Sequence, residues 1–415
     1  MRTVKEFIQH VKGHIRNKEA HKAVEKELTY HLAKSKQAWQ EKGYNDADAD
    51  AEQQAVSEMG NATNLGVSLN QIHQPKIDWL LVIPFVLVAM CSFLPLLPAE
   101  LSLRHFIMRN VVIVIGGIAV TIFLTRLDFR KLERYSTHLY VLGCLIFLII
   151  LNGNQMMNDV IFFQAGSLEL KGWMTLPLFL IAFAGFFAKQ KKSLWWLLIL
   201  YSIGAYCYIR LPDFSLFCTY TVIVAILFYA SSFSRKQKLA CTVAFSFLFV
   251  ALISYLMVVP LAPYNLSLAR MKTIYTPGLE DNGVSYISTV MKNLTWFGNS
   301  KVIWEIEAHT NYVLLTILQT YGIIAGVAVV CLLGFIIFRL AYTLGSIHNE
   351  YGRLLIVGGL AYVTTQIIYH ILMLFGLVPL MSMPIPFISH GVFPMLLGSV
   401  AIGLTLSIYR RKSYI

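Results

Sequence analysis

Residues 78–97 read DWLLVIPFVLVAMCSFLPLL. Beyond Asp78 the run carries no charge, and apolar side chains fill every helical phase instead of one stripe. A helix rises about 1.5 Å per residue, so about twenty such residues cover the roughly 30 Å of a bilayer's hydrocarbon core. Blocks of the same kind recur at 107–125, 138–152, 174–188, 193–209, 214–232, 239–262, 311–338, 353–376 and 388–409. Reading outward from the first block therefore predicts an all-α, polytopic integral membrane protein with about ten transmembrane helices and the lipid bilayer as its solvent. Composition agrees: 57% of the 415 residues are hydrophobic and 13% charged, against roughly 25% charged in an average soluble domain. An ordinary water-soluble enzyme is excluded.

The net charge of +12 has two readings, nucleic acid or membrane orientation, and its distribution decides. Arg126, Arg130, Lys131 and Arg134 fall between the second and third blocks, Lys189, Lys191 and Lys192 between the fourth and fifth, and Arg235, Lys236 and Lys238 after the sixth. Arg339 and Arg353 flank the next such loop, and Arg410, Arg411 and Lys412 end the chain. The alternate loops carry Glu100, Asp159, Glu169, Asp213, Glu280, Asp281, Glu305 and Glu307. Basic residues kept inside place both termini in the cytoplasm, require an even number of spans, and leave no role for nucleic acid.

Residues 1–75 are polar and hold no signal-peptide core, which predicts a small cytoplasmic helical domain ahead of a transmembrane domain at 76–415. Val24, Leu28 and Leu32 form a stripe on a helix from about Lys18 to Glu41, ended by Gly43. Asn45 or Asp46 caps a second helix with Ala51, Ala55, Val56 and Met59 on one face before Gly60. The stretch Tyr44 to His73 resembles the permease-prefix domain that precedes the first span of some bacterial membrane proteins; a docking or stabilising module without chemistry is the plainer reading. Cys91, Cys144, Cys207, Cys218, Cys241 and Cys331 all lie in or at the ends of spans, without metal-ligand spacing. Neither a phosphate-binding GxxxxGK[ST] nor a GxGxxG occurs.

Unusual residues gather on the outer side. The longest polar stretch, 263–310, keeps Arg270, Tyr275, Tyr286, Trp296, Phe297 and Trp304 and closes with Glu307-Ala308-His309-Thr310-Asn311. Loops of that length with aromatic content are usually functional. Arg210-Leu211-Pro212-Asp213 joins two spans, and the stretch from Gly376 through Pro384-Ile385-Pro386-Phe387-Ile388-Ser389-His390-Gly391 precedes the last. Irregular backbone at membrane depth survives only against protein or water.

These residues resemble the SEDS family (FtsW/RodA/SpoVE-like), polytopic bacterial glycosyltransferases that work with a class B penicillin-binding protein. Pro384 to Gly391 is similar to its C-terminal signature, with Gln366 and Gly376 upstream of it. Pro212-Asp213, Gly298-Asn299-Ser300, Glu307-Ala308-His309-Thr310 and Asn152-Gly153 resemble further motifs, in order, over about residues 78 to 412. The resemblance implies a multi-pass bacterial cell-membrane protein that acts on or binds an undecaprenyl-linked peptidoglycan precursor (lipid II) at the outer face, in cell shape, division or sporulation.

Departures accompany the matches. The Asp that follows His-Thr in the family, its presumed catalytic carboxylate, is Asn311 here, and an amide cannot accept a proton at neutral pH. Gln319 and Thr320 replace an acidic pair, His370 an Asn, and Val392 a Gly, while Lys171-Gly172-Trp173-Met174 stands for a Gln-Pro-Ser-Glu motif. Glu307, four residues before Asn311, is the candidate for a relocated base, set against a role in orienting the loop. Arg210 and Arg270 are candidates for pyrophosphate recognition, set against interfacial snorkelling or pairing with Asp213. Asp213, His309 and Ser389 complete the expected substrate-binding set, although Asp213 equally suits an N-cap and His309, His370 and His390 equally suit structural hydrogen bonds. No resident metal or cofactor is expected; a divalent cation stays open. Two readings result, a divergent polymerase or a non-catalytic paralogue that partners a penicillin-binding protein, with a flippase or transporter ranked lower because charges within the spans are few.

Overall fold

Polar residues 1–75 and the apolar blocks after them segregate into separate units in the computed structural model, which describes residues 3–41, 48–97, 104–153, 155–157, 160–165, 168–189, 193–211, 214–243, 246, 254, 290–298, 310–375, 377–378 and 383–412. One unit comprises Met1–Asp78 with Ile408–Ile415, the other Trp79–Ser407.

The first unit holds four helices, α1 (Val4–Gly13), α2 (His21–Glu41), α3 (Asp48–Glu58) and α4 (Ala62–Ile72). Thr3 caps α1 by accepting from the Glu6 N–H, and Asn61 caps α4 by accepting from the Thr63 N–H at 2.8 Å. Gly60, at φ +77°, makes the turn between α3 and α4. Phe7, Ile8 and Val11 of α1 meet Val24, Leu28 and Leu32 of α2 and Ala55 and Val56 of α3 in one core. The expected stripe on α2 is thus its buried face, and α2 begins at His21 after a turn at 18–20. Gly43, Asn45 and Asp46 lie outside the described residues. On the surface, the Lys12 ammonium donates to Glu25 at 2.7 Å and holds that carboxyl below its ordinary range. Within the same unit the fully buried Arg411 side chain donates through Nε and Nη2 to the two oxygens of Glu19, at 2.7 and 3.0 Å.

The second unit contains α5 (Trp79–Cys91), α6 (Arg104–Arg126), α7 (Phe129–Arg134), α8 (Ser136–Leu151), α9 (Leu176–Lys189), α10 (Leu194–Ile209), α11 (Phe214–Ala230), α12 (Val313–Leu344), α13 (Glu350–Leu374) and α14 (Val392–Arg411), the last four residues of which belong to the first unit. Among the described residues six helical stretches are long and apolar enough to cross a membrane, and three more apolar helices are shorter. Those nine correspond to nine of the expected blocks; most of the tenth, 239–262, lies outside the described residues. The helical polytopic fold expected from the apolar blocks is therefore the fold observed.

Burial ranks the helices: 72% of the apolar window of α14 and 61% of that of α13 are buried, against 22% for α6 and 28% for α12. Among the described residues the former pair is the more deeply packed and the latter the more exposed. Adjacent glycines bring α13 close to two neighbours. A Cβ at Gly358 would sit 2.9 Å from Leu180 of α9, and one at Gly359 3.1 Å from Ala401 of α14. Without a hydrophobic drive between helices in lipid, such close contact supplies much of the cohesion.

A small sheet was not anticipated. Between α8 and α9, β1 (Gln155–Met157), β2 (Val160–Ala165) and β3 (Leu168–Lys171) form an antiparallel sheet, with Gln155 opposite Phe162 and Phe163 opposite Leu170. Branched and aromatic residues in β2 favour extended backbone. Gly153 is required beneath it, because a Cβ there would lie 2.6 Å from the Phe162 carbonyl oxygen.

Candidate functional site

Prolines at 384 and 386 remove backbone donors and bar the chain before α14 from forming a helix, so residues 383–391 run as an irregular strap. Phe387 adopts φ +71°, an uncommon conformation for a side-chain-bearing residue that costs roughly 1–2 kcal/mol. Its ring offsets this cost. It is 1% exposed, packs edge to face on Phe85 at 5.5 Å, and rests directly on Gly398 of α14. Burial of that much apolar surface contributes about 1.5–3 kcal/mol.

The strap is tied at both ends. At the start, the His370 Nδ1–H of α13 donates to the Met383 carbonyl at 3.2 Å, the tautomer that this acceptor requires. Near the other end, Ser389 accepts from the Ile385 N–H at 2.9 Å, and its backbone N–H returns a bond to the Ile385 carbonyl at 3.1 Å. The Ser389 hydroxyl then donates to the carbonyl of Thr310 at 2.7 Å. Thr310 immediately precedes Asn311, so the C-terminal signature and the turn at Thr310–Tyr312, with Ser389 and Thr310 79 residues apart in sequence, meet through one hydroxyl. Asn311 is partly exposed at the entrance to α12, while Ser389 is buried.

A second junction lies eleven residues beyond Asn311. Gly322, at φ +88° and ψ 176°, breaks α12, leaving helix on either side. The exposed backbone donors beyond the break are satisfied by an incoming segment: the Ile323 N–H donates to the Thr295 carbonyl at 3.0 Å and the Ile324 N–H to the Trp296 carbonyl at 3.4 Å. Gly298, at φ +82°, belongs to the Gly-Asn-Ser motif and could not carry a side chain, because its Cβ would meet the Thr320 carbonyl group and come within 2.8 Å of the Gly322 nitrogen. This motif residue therefore acts as a close-packing glycine. Gln319 and Thr320, which stand where the resemblance expects acids, directly precede the break.

Behind the strap sits a buried polar cluster. Gln366 Nε2 donates to Thr219 Oγ1 at 3.4 Å, and Thr219 donates to the Ser215 carbonyl at 2.9 Å. Gln366 and His370 are four residues apart on one face of α13 and fully buried. Gln366 Oε1 and His370 Nε2 have no partner among the described residues, which suits an ordered water with two hydrogens to donate. Sequence reasoning placed Gln366 in a motif but missed its link to Thr219. The available signal was a Thr in the second turn of an apolar helix.

Of the other expected site residues, Arg210 is the C-cap of α10, with an exposed side chain and its backbone N–H on the Tyr206 carbonyl at 3.1 Å. Asp213, Arg270, Glu307 and His309 lie outside the described residues. His390 packs edge to face on Phe106 at 5.5 Å. The Asn152 side chain donates to the Leu148 carbonyl at 2.7 Å, so the Asn-Gly motif here finishes α8 and seats the sheet. Among the described residues no group of three or more His, Cys, Asp or Glu side chains is placed to hold a metal ion.

Comparison with known proteins gives consistent results. Residues 75–414 match the FtsW/RodA/SpoVE family, described as cell cycle protein. A protein named probable peptidoglycan glycosyltransferase FtsW from Nitrosomonas europaea is 22% identical over 373 residues, covering 82% of this chain and 94% of that protein. The protein of the same name from Bacillus subtilis is 23% identical over 337 residues, covering 75% and 83%. Among solved structures, a chain of a peptidoglycan synthase complex superposes with a TM-score of 0.67 at 18% identity, covering 81% of this chain and 98% of its own. The rod shape determining protein RodA of Thermus thermophilus gives 0.59 at 17% identity, covering 80% and 97%. A bundle of apolar helices carrying these motifs in this order, matched along nearly all of its membrane unit, identifies the chain as a bacterial membrane protein that belongs to the FtsW/RodA/SpoVE family.

Proposed function

We propose that this protein binds a lipid-linked peptidoglycan precursor at the outer membrane face, with both termini in the cytoplasm and a class B penicillin-binding protein as partner, and serves cell division or cell shape. The names of the relatives support the substrate class, and the peptidoglycan synthase complex among the structural neighbours supports the partner. The observation that carries the reading is the Ser389–Thr310 bond, which holds the Thr310–Asn311 turn against the family signature although the side chain at 311 is an amide.

The reaction implied by those names joins sugars. An acceptor hydroxyl attacks the anomeric carbon, the bond from that carbon to the pyrophosphate oxygen breaks, polyprenyl pyrophosphate leaves, and the hydroxyl proton passes to a base. Asn311 cannot take that proton, and loss of a general base costs about 10²- to 10⁴-fold in rate. Binding is therefore retained and polymerisation suppressed. Arg210 and Arg270 are proposed to face the pyrophosphate, with Asp213 and His309 around the sugar and peptide; a divalent cation at the pyrophosphate would aid departure. A second reading, with Glu307 as the base, rests on its spacing of four residues from Asn311.

Purified wild type, Asn311→Asp and Glu307→Gln, each assayed for precursor binding and glycan polymerisation with and without a penicillin-binding protein, separate the readings. Binding without turnover in wild type, and a gain of at least about 10²-fold in Asn311→Asp, is the expected result. Wild-type turnover lost in Glu307→Gln supports the second reading. No binding by any form overturns the substrate assignment.

A further inference from the structure

We infer that Ser389 is a positioning residue: its hydroxyl, instead of contacting substrate, sets the height and direction of the turn from which residue 311 projects. The inference deepens the proposed function and rests on it for the identity of what residue 311 faces. Three observations carry it. The hydroxyl's one hydrogen is committed within the protein, on the Thr310 carbonyl at 2.7 Å, while its oxygen receives the Ile385 N–H at 2.9 Å. The side chain is also buried, at 2% exposure, behind the turn that it holds. Finally, its own location is fixed from several directions, by the return bond to Ile385, the His370 tie at Met383, and the Phe387 N–H on the Pro394 carbonyl at 3.3 Å.

A rigid strap carrying one donor is thus aimed at the carbonyl immediately before position 311. Thr310 belongs to the turn, and α12 begins at Val313, with its first-turn Thr316 N–H bonded to the Tyr312 carbonyl at 3.0 Å. The N-cap residue, Tyr312, makes no side-chain cap of its own. The bond from Ser389 to the Thr310 carbonyl therefore adds a tertiary tie, 79 residues distant in sequence, to the turn that precedes the helix. Removal of the hydroxyl leaves the Ile385 N–H without its acceptor and the Thr310 carbonyl without this donor, and a lost hydrogen bond of this kind typically corresponds to about a tenfold change.

The test uses the full-length protein in lipid nanodiscs with Ser389→Ala and Ser389→Thr. Hydrogen exchange is followed in peptides covering 310–320 and 350–374, and binding is measured with a fluorescent undecaprenyl-pyrophosphoryl disaccharide-pentapeptide. In Ser389→Ala, exchange in 310–320 accelerates about tenfold, exchange in 350–374 does not change, and the probe binds about tenfold more weakly. Ser389→Thr, which keeps the hydroxyl, restores both. Unchanged exchange in the Ala variant, or a Thr variant that behaves like Ala, overturns the inference. If Ser389→Ala cannot be recovered folded, Ser389→Cys, a weak donor, takes its place, and wild-type exchange in that variant overturns the inference equally. Faster exchange rescued by Thr, in a protein that binds no probe even as wild type, leaves the clamp standing and rejects the substrate reading.

Discussion

Glycines at three positions carry more structural consequence than most of the charged residues. Gly322 and Gly298 each need positive φ and each excludes a Cβ because backbone atoms of the other segment occupy that space. Backbone cannot swing away as a side chain can. Gly322→Ala should therefore destabilise the protein by at least about 2 kcal/mol, combining the left-handed penalty with overpacking. Gly398→Ala should cost about 1–3 kcal/mol by driving the Phe387 ring off α14. Thermal unfolding in detergent reads both, and a Gly398→Ala protein as stable as wild type would show that the ring has room to move. Asn311 was legible from sequence because one amide stood where a carboxylate was expected. The partner of Ser389 was not legible, since nothing in a linear sequence reports that a hydroxyl at 389 meets a carbonyl at 310. Gly322 escaped for a different reason: an isolated glycine in an apolar run usually continues a membrane helix, and only the carbonyls of Thr295 and Trp296 make a break affordable here.

Among elements, the long apolar helices were legible and the short irregular ones were not. Length and uniform hydropathy set α6, α12, α13 and α14 apart, uniform hydropathy alone sets α5 apart, and Pro84 inside α5 does not end it. The sheet at 155–171 was hidden because its strands of three, six and four residues are too short to show a period before the next apolar block begins. In the first unit, α1 was missed although Phe7, Ile8 and Val11 are spaced as a helical face; three apolar residues in a polar run are a faint signal. The Arg411–Glu19 pair could not have been foreseen from spacing, and its energetics are testable. Arg411 is fully buried whereas the Glu19 side chain is 36% exposed, so solvent screening reduces the pair below the 3–5 kcal/mol of a wholly buried one. Arg411→Ala should cost about 1–2 kcal/mol and expose residues 14–24 to proteolysis, while Glu19→Gln, which keeps an acceptor, should cost less. Equal proteolytic resistance in all three proteins would assign the pair no holding role.

At the scale of the whole molecule, the claim most open to direct measurement is orientation. If the basic loops lie inside, residues 127–135, 190–193 and 231–238 face the cytoplasm, while the 155–171 sheet, the strap and the Thr310–Asn311 turn all face out. The helical path is consistent with this. Descending α9 and ascending α10 are joined at 190–193, and the turn after α10 at Arg210 lies on the same side as Gly172, where a Cβ would stand 2.6 Å from Leu211. Single cysteines introduced at Gln164 and Lys236, in a protein with the six native cysteines replaced, should label oppositely with a membrane-impermeant maleimide: Gln164→Cys in intact cells, Lys236→Cys only after permeabilisation. Labelling of both in intact cells, or of Lys236→Cys alone, would invert or break the topology and remove the outer-face assignment of Asn311. The proposed chemistry depends on that result, because a lipid-linked precursor can reach the turn only from the leaflet on which the turn opens, and the clamp at Ser389 would otherwise order a surface that the substrate never meets.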